Sequence, residues 1–164
     1  GRWRPVARDI IKHYKLKAGD RVLDVGCAKG FLLQDLLLEL PGLYVRGVDV
    51  SSYAILCADK VLDGCLYFSS ADLLPFDDRS FDLVISINTI HNLKREQAKQ
   101  ALKEIMRVTT GGKAFVQVDS YYTPNQKAIF EEWVLTAEFH DYPDGWCQLF
   151  DESGYVGDFD WTLV

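Results

Sequence analysis

The chain has 164 residues, a net charge of −6 and 48% hydrophobic residues, which fits one globular domain with its own core. The acidic charge disfavours nucleic acid as a partner, since it repels a phosphate backbone. The basic residues between Lys94 and Arg107 do not offset this, because acidic residues are interleaved with them and the pattern predicts a solvated helix face. The four cysteines have neither Cys-x-x-Cys nor zinc-site spacing, so we expect a reduced, cytoplasmic protein without a metal site. No apolar run is long enough to span a bilayer, and no membrane is expected as a partner.

Helices and strands are predicted to alternate along the first two thirds of the chain. The hydrophobic pattern predicts helices over 6–14, 31–40, 52–61 and 94–108, and strands over 21–25, 44–50, 66–69, 81–87 and 113–119. Such alternation is typical of a parallel sheet that helices cover on both faces. Sheets of this kind bind ligands at the carboxyl ends of their strands, where the strand order reverses.

The last third of the chain has a different pattern. Thr123, Pro124 and Gln126 form a helix-start signal, and the helix is expected to run to about Glu138. A further helix is predicted to begin near Asp144 and to stop at Gly154. Apolar and polar residues alternate weakly over 155–164, which predicts one final strand there.

A glycine-containing turn joins the first strand to the next helix. Gly26 and Gly30 allow a sharp bend and a close approach of a ligand to the backbone. Asp24 can accept hydrogen bonds from a cationic amine, and the free amides at the helix start can hold a carboxylate. An amino-acid zwitterion would satisfy both. The turn does not match Gly-x-Gly-x-x-Gly, because Ala28 and Phe31 stand at the second and third glycine positions, so NAD and FAD are disfavoured.

Polar side chains also follow the next three strands. Asp49 closes the second strand, where an acidic residue typically pairs with ribose hydroxyls. Asp72 follows the third strand and could accept a hydrogen bond from an adenine amino group. Asn88 ends the apolar fourth strand and begins a polar loop that continues to Leu93.

Together these segments resemble the class I SAM-dependent methyltransferases, in particular the methyltransferase type 11 group. The resemblance covers roughly residues 15–120 and implies an α/β, Rossmann-like three-layer sandwich with a mostly parallel sheet. It also implies SAM as the cofactor, with S-adenosylhomocysteine (SAH) as its product. The implied cofactor-binding residues are Asp24, Gly26, Cys27, Gly30, Asp49, Val50, Ala71, Asp72, Leu73 and Asn88.

On this resemblance the chain is one methyltransferase domain with three parts. They are an N-terminal helix that is a candidate lid (1–18), a cofactor-binding core (19–119), and acceptor-side helices with the last strand (120–164). The family sheet usually ends in an antiparallel hairpin, whereas only one strand fits here. We therefore expect a shortened C-terminal hairpin, from a missing seventh strand or a truncated chain, and an open sheet edge through which a homodimer could form.

The implied reaction is methyl transfer to a small-molecule acceptor by in-line displacement. His91 is the candidate general base, with a packing or helix-capping role as the alternative. Tyr121 and Tyr122 are candidates for the acceptor pocket, with a partly exposed aromatic pair as the alternative, and Trp3 and Tyr14 are candidates for the lid. Two other functions stay open. One is a SAM-binding module of a larger complex, and the other, less favoured, is an NAD-dependent oxidoreductase.

Overall fold

The computed structural model describes residues 1–163, which form a six-stranded sheet between layers of helices. The strands are β1 Arg21–Val25, β2 Tyr44–Asp49, β3 Leu66–Phe68, β4 Leu83–Ile87, β5 Ala114–Ser120 and β6 Asp158–Leu163. The helices are α1 Arg4–Tyr14, α2 Phe31–Glu39, α3 Ser52–Leu56, α4 Arg95–Val108, α5 Pro124–Trp133 and α6 Pro143–Ser153, and two 3₁₀ turns cover Lys60–Leu62 and Ile90–Asn92.

The strand order is β3-β2-β1-β4-β5-β6, and all five pairings are parallel. The predicted α/β, Rossmann-like class is therefore confirmed. The chain moves outward from β1 to β3 and then returns to place β4 on the other side of β1. This reversal opens a crevice between the carboxyl ends of β1 and β4, where sheets of this type bind ligands.

The final strand lies beside β5 and runs parallel to it. Phe115 is opposite Asp158 at one end of the ladder, and Ser120 is opposite Leu163 at the other. The prediction of a single C-terminal strand is confirmed, and Val164, its predicted last residue, lies outside the described residues. Within residues 1–163 no strand pairs with the outer edge of β6. A homodimer through this edge stays a prediction.

Two apolar cores lie on opposite faces of the sheet, because successive side chains of a strand point to opposite faces. Leu23 of β1 packs on the face that α4 and α6 cover, and Val22 packs on the face that α1 and α2 cover. Both side chains are fully buried. The strands therefore read as continuous apolar runs, as expected for a sheet covered on both sides.

Several predicted boundaries differ from the observed ones, including the start of the last strand, which is Asp158 and not residue 155, and other hydrogen bonds explain two of them. The helix predicted over 52–61 stops at Leu56, because the Asp59 carboxylate caps a separate 3₁₀ turn through the amide of Val61. The helix expected to reach Glu138 ends at Trp133, and the amide of Glu138 donates to the carbonyl of His91 at 2.9 Å instead. The strand predicted over 81–87 begins at Leu83. No helix among residues 1–163 has the length and apolar character needed to cross a bilayer.

Candidate functional site

Two adjoining cavities of about 280 and 340 Å³ lie at the crevice between β1 and β4. We name them the Asp24 cavity and the Asp49 cavity after the acid that lines each. They share four lining residues, which are Gly26, Ala28, Asn88 and Thr89. Seven of the ten predicted cofactor residues line one or both cavities: Asp24, Gly26, Cys27, Asp49, Val50, Ala71 and Asn88. The three others, Gly30, Asp72 and Leu73, lie outside the linings.

Two glycines shape the turn after β1 in different ways. Gly26 has a φ of +81°, and a β-carbon there would lie 1.9 Å from Thr89 Oγ1, so a larger residue would close the space between the two cavities. Gly30 has a φ of +74° and forms the N-cap of α2, where a β-carbon would lie 2.4 Å from a methyl carbon of Leu62. Gly26 therefore shapes the cavities directly, whereas Gly30 allows α2 to pack beside them.

Asp49 fastens the turn after β1 to the end of β2. One carboxylate oxygen accepts a hydrogen bond from the amide of Ala28 at 2.8 Å, and the other accepts one from the amide of Ser51 at 2.8 Å. Ala28 has a left-handed φ of +48°, which is strained for any residue with a β-carbon. Each Asp49 oxygen keeps a second lone pair, so the carboxylate can also accept hydrogen bonds from a ligand in the cavity.

Asp24 is a buried acid that faces a cavity. It is 5% exposed, and burial raises its pKa to about 7, with a smaller contribution from the negative charge of Asp49. A cation in the Asp24 cavity would favour the ionised form and lower this pKa. The two acids therefore provide a paired negative potential, which suits a ligand with a positive charge beside Asp24.

Asn88 lies where three spaces meet. It lines the Asp24 cavity, the Asp49 cavity and a larger groove of about 680 Å³, which we name the α1 groove. This groove runs between α1 and the face of β4 to β6. Its lining residues are Trp3, Val6, Asp9, Ile10, His13, Tyr14, Ile87, Asn88, Phe115, Gln117, Asp158, Phe159 and Asp160. Trp3, Ile87 and Asn88 also line the Asp24 cavity, so the two spaces are neighbours with a shared wall.

Comparison with known proteins identifies this arrangement. The profile of the methyltransferase domain family matches residues 22–112, which include β1 to β4 and α4. The chain belongs to the methyltransferase domain family. The resemblance to class I SAM-dependent methyltransferases is thereby confirmed, since the matched segment contains the glycine turn, both cavity acids and Asn88.

A curated relative agrees with this family, and solved structures share the fold. The chain is 35% identical over 114 residues to a demethylmenaquinone methyltransferase of Lactobacillus johnsonii, covering 65% of this chain and 45% of that protein. The crystal structure of the YcgJ protein of Bacillus subtilis superposes with a TM-score of 0.74 at 20% identity, covering 90% of this chain and 66% of that one. A complex of the Haloferax volcanii Trm112 methyltransferase activator with a methyltransferase has a TM-score of 0.70 at 24% identity, covering 93% and 74%.

The match to longer proteins is partial. The chain spans between 41% and 58% of the length of the first three curated relatives. The profile match shows the family, and the superposed structures show the fold. Because the relatives are longer, the reaction, its acceptor and its partners are proposed below.

The cavities of this methyltransferase domain fit SAM. The buried, cavity-facing Asp24 suits an α-ammonium group, and the first turn of α2, with Phe31 and Leu32 in the same lining, offers free amides to a carboxylate. Asp49 and Val50 stand in the adjoining cavity, where ribose hydroxyls would meet a carboxylate with free lone pairs. Together the two cavities have the size expected of a cofactor site.

Asp72 and Leu73 lie just beyond the Asp49 cavity. The hydroxyl of Ser70 donates a hydrogen bond to Asp72 Oδ1, and Leu73 is 75% exposed. Ser70 and Ala71 are the residues of this segment that line the cavity. Sequence reasoning missed Ser70, although its position directly after β3 was a usable signal. A direct role of Asp72 at adenine stays a prediction.

His91 holds two loops together. It is 5% exposed, its Nδ1 accepts a hydrogen bond from the amide of Asp119 at 3.0 Å, and its Nε2 lies 3.5 Å from Asp119 Oδ2. Burial lowers the pKa of His91, against the opposing charge of Asp119. Because Nδ1 accepts an amide hydrogen, the ring proton is on Nε2, which faces Asp119. The one basic lone pair is thus occupied, and His91 lines none of the three spaces. This geometry supports the structural alternative over the general base.

Tyr121 and Tyr122 lie away from the three spaces. Tyr121 is 1% exposed and its hydroxyl is 2.9 Å from His140 Nδ1, within an aromatic cluster with Phe130 and Tyr142. Tyr122 is 57% exposed. This placement fits packing for Tyr121 and a surface position for Tyr122, and neither residue lines the α1 groove.

Trp3 and Tyr14 occupy the two ends of α1, the candidate lid. The Trp3 side chain lines both the Asp24 cavity and the α1 groove, and its amide donates to the buried Asp35 carboxylate at 3.0 Å. The Tyr14 hydroxyl donates to Asp158 Oδ2 at 2.8 Å. The start of α1 is therefore anchored next to the Asp24 cavity. Among residues 1–163, no group of three His, Cys, Asp or Glu side chains could hold a metal ion.

Proposed function

We propose that this domain binds SAM and transfers its methyl group to a small-molecule acceptor by in-line displacement. The observation that carries the proposal is the buried Asp24 carboxylate, which faces a cavity joined to the Asp49 cavity across the Gly26 turn. In this arrangement Asp24 binds the ammonium group of the cofactor, and the amides at the start of α2 bind its carboxylate. Asp49 accepts hydrogen bonds from the ribose hydroxyls, and Val50 and Ala71 flank the adenine.

The protein contributes mainly orientation. The sulfonium of bound SAM activates the methyl group, so no strong electrophile is required of the chain. Residues of the crevice hold acceptor and cofactor in line, which is a large source of rate enhancement in bimolecular reactions. No step requires His91 as a base, and an acceptor that is already a nucleophile near neutral pH suits this site.

We assign the α1 groove as the acceptor site. It shares the lining residues Trp3, Ile87 and Asn88 with the Asp24 cavity, so a molecule in the groove would lie next to the cofactor. Its volume of about 680 Å³ is within the range of small-molecule sites. The relative from Lactobacillus johnsonii is named for a small-molecule acceptor, demethylmenaquinone, which agrees with this acceptor class.

Calorimetric titration with SAM, SAH and NAD⁺ tests the cofactor assignment. We expect binding of SAM and SAH and none of NAD⁺, and Asp24→Asn should weaken SAH binding by at least about tenfold because it removes an ion pair. Asp144→Asn, an exposed acid on α6, is the matched control and should bind SAH like the wild type. No binding of SAH at millimolar concentration would refute the proposal.

A screen of metabolites with methyl-labelled SAM tests the reaction. Label transfer to a small molecule supports the proposed chemistry. Binding of SAM without transfer to any acceptor would favour the alternative, a SAM-binding module of a larger complex.

A further inference from the structure

A chain of directed hydrogen bonds connects the last two strands to the cofactor crevice. Gln117 Nε2 on β5 donates to Thr162 Oγ1 on β6 at 2.9 Å, and the Thr162 hydroxyl donates to Asn88 Oδ1 at 2.9 Å. An amide nitrogen can only donate a hydrogen bond. The Thr162 hydroxyl oxygen therefore accepts from Gln117, and its hydrogen is donated to Asn88 Oδ1. The side-chain oxygen of Asn88 is therefore the last acceptor in this series of hydrogen bonds.

The parallel register of β6 makes this chain of hydrogen bonds possible. Gln117 is opposite Asp160, and Thr162 lies two residues further along the same face of β6, towards the carboxyl ends of the strands. A β6 of opposite direction would carry Thr162 away from Asn88. The connection joins residues that are 74 positions apart in the chain.

The backbone of Asn88 is held independently of its side chain. It has a left-handed φ of +53°, its amide donates to the carbonyl of Gln117 at 2.9 Å, and its carbonyl accepts from Asn92 Nδ2 at 3.4 Å. Thr162 engages one lone pair of Oδ1 and so sets the orientation of the amide, and within the described part of the chain Asn88 Nδ2 has no hydrogen-bond partner and can meet a ligand. A primary amide held in this way has two free N–H donors and one remaining lone pair on the oxygen that faces Thr162.

Asn88 stands at the junction where a methyl group would pass from cofactor to acceptor. It is the one residue common to the linings of the Asp24 cavity, the Asp49 cavity and the α1 groove. A fixed donor at this point favours a ligand group with lone pairs, such as a hydroxyl, carbonyl or carboxylate oxygen. It disfavours a protonated amine, which would bring donor against donor.

We propose that Gln117 and Thr162 are positioning residues that hold the Asn88 amide nitrogen towards this junction and so select oxygen-bearing acceptors over amines. The inference rests on the proposed function, because it assumes cofactor and acceptor on either side of Asn88. It concerns which ligand groups the junction accepts, and it can fail while the cofactor assignment stands.

Sinefungin is a suitable probe, because it has an amine-bearing carbon where SAM has the methylated sulfonium. Both molecules are cationic at this position, and only sinefungin can donate a hydrogen bond there. The ratio of their dissociation constants therefore reports on hydrogen bonding at the junction, while effects of charge largely cancel. The measurement needs no knowledge of the natural acceptor.

Three variants change the chain of hydrogen bonds in distinct ways. Thr162→Val removes the donor to Asn88 Oδ1 and frees the amide to turn. Gln117→Glu replaces a donor by an acceptor, so the Thr162 hydroxyl donates its hydrogen to the new carboxylate. Thr162 can then only accept from Asn88, so the Asn88 amide turns its nitrogen to Thr162 and its oxygen to the junction. Thr162→Ser keeps the hydroxyl and is the matched control.

We expect Thr162→Val and Gln117→Glu each to shift the affinity ratio in favour of sinefungin by about tenfold, as one gained hydrogen bond to a cation would. Thr162→Ser should keep the wild-type ratio. If Thr162→Val does not fold, Gln117→Glu alone decides. Unchanged ratios in variants that still bind SAM would overturn this inference and leave the proposed function intact. Absence of SAM and SAH binding by the wild type would overturn both.

Discussion

The amide nitrogen of Ala28 lies 2.8 Å from Asp49 Oδ2, so the acid expected to bind ribose also holds the turn after β1 in place. The second oxygen of the same carboxylate accepts from the amide of Ser51. One side chain therefore organises the backbone after β1 and after β2 before any ligand binds. Preorganisation of this kind lowers the cost of ordering the site on binding.

Replacing Asp49 should reduce both stability and cofactor affinity. In Asp49→Asn one of the two backbone amides loses its acceptor, because the side-chain NH₂ group cannot accept a hydrogen bond. We expect a loss of about 1–3 kcal/mol in the free energy of unfolding, measured in urea, and at least tenfold weaker SAH binding, measured by calorimetry. Asp63→Asn, which also removes one exposed negative charge, should change neither. An unchanged SAH affinity in Asp49→Asn would mean that the ribose lies elsewhere.

SAH binding should depend on the ionisation of Asp24. The pKa of Asp24 is raised to about 7 in the free protein, and the ligand's ammonium group favours the ionised form. Affinity should therefore rise with pH between about pH 5 and pH 7 and level off above the pKa. Asp24→Asn should bind SAH weakly and lose this dependence. An affinity that is equal at both ends of this range would contradict the ammonium contact.

The same raised pKa predicts a pH dependence of stability without ligand. The folded-state pKa lies above the unfolded value of 3.8, so ionisation of Asp24 opposes folding. Its contribution is most favourable below about pH 4 and is lost as the pH rises towards about 7. Asp24→Asn should therefore raise the melting temperature of the ligand-free protein at about pH 8 and have little effect at about pH 4. Thermal unfolding followed by circular dichroism measures both.

His91 should matter for stability more than for chemistry. His91→Ala removes the acceptor of the Asp119 amide and leaves a cavity, so we expect a loss of about 2–4 kcal/mol in the free energy of unfolding. His91→Asn, whose side-chain oxygen can still accept, should lose less. Because burial lowers the pKa of His91, stability should fall as the pH drops below about 6.5, and His91→Asn should lack this step. Loss of methyl transfer with full stability would instead support a general base.

Ala28→Gly should stabilise the protein. Ala28 has a left-handed φ of +48°, which costs about 1–2 kcal/mol for a residue with a β-carbon and almost nothing for glycine. We expect a gain of about 0.5–1 kcal/mol in the urea unfolding free energy, the rest being offset by the greater freedom of glycine in the unfolded chain. Ala58→Gly, at an ordinary backbone position, should be neutral or destabilising. A loss of stability in Ala28→Gly would contradict the strain at this turn.

The sequence predicted the elements of the core well, because their signals are local. Apolar runs such as 21–25 and the glycine turn that follows depend on side chains a few residues apart. The predicted strand Arg21–Val25 is confirmed at both ends. Where a boundary was wrong, as at the end of α5, the amides of Glu138 and Phe139 beyond the helix donate to a distant acceptor, the carbonyl of His91.

Composition, periodicity and motif order thus predicted the α/β class, the methyltransferase family and seven of the residues that line the two cavities. The tertiary structure alone decided the parallel placement of β6, the structural setting of His91 beside Asp119, and the hydrogen bond from Thr162 to Asn88. Each of these depends on contacts between segments far apart in the chain. Such contacts follow from the packing of the whole sheet, and no local pattern of residue types records which partner a side chain meets.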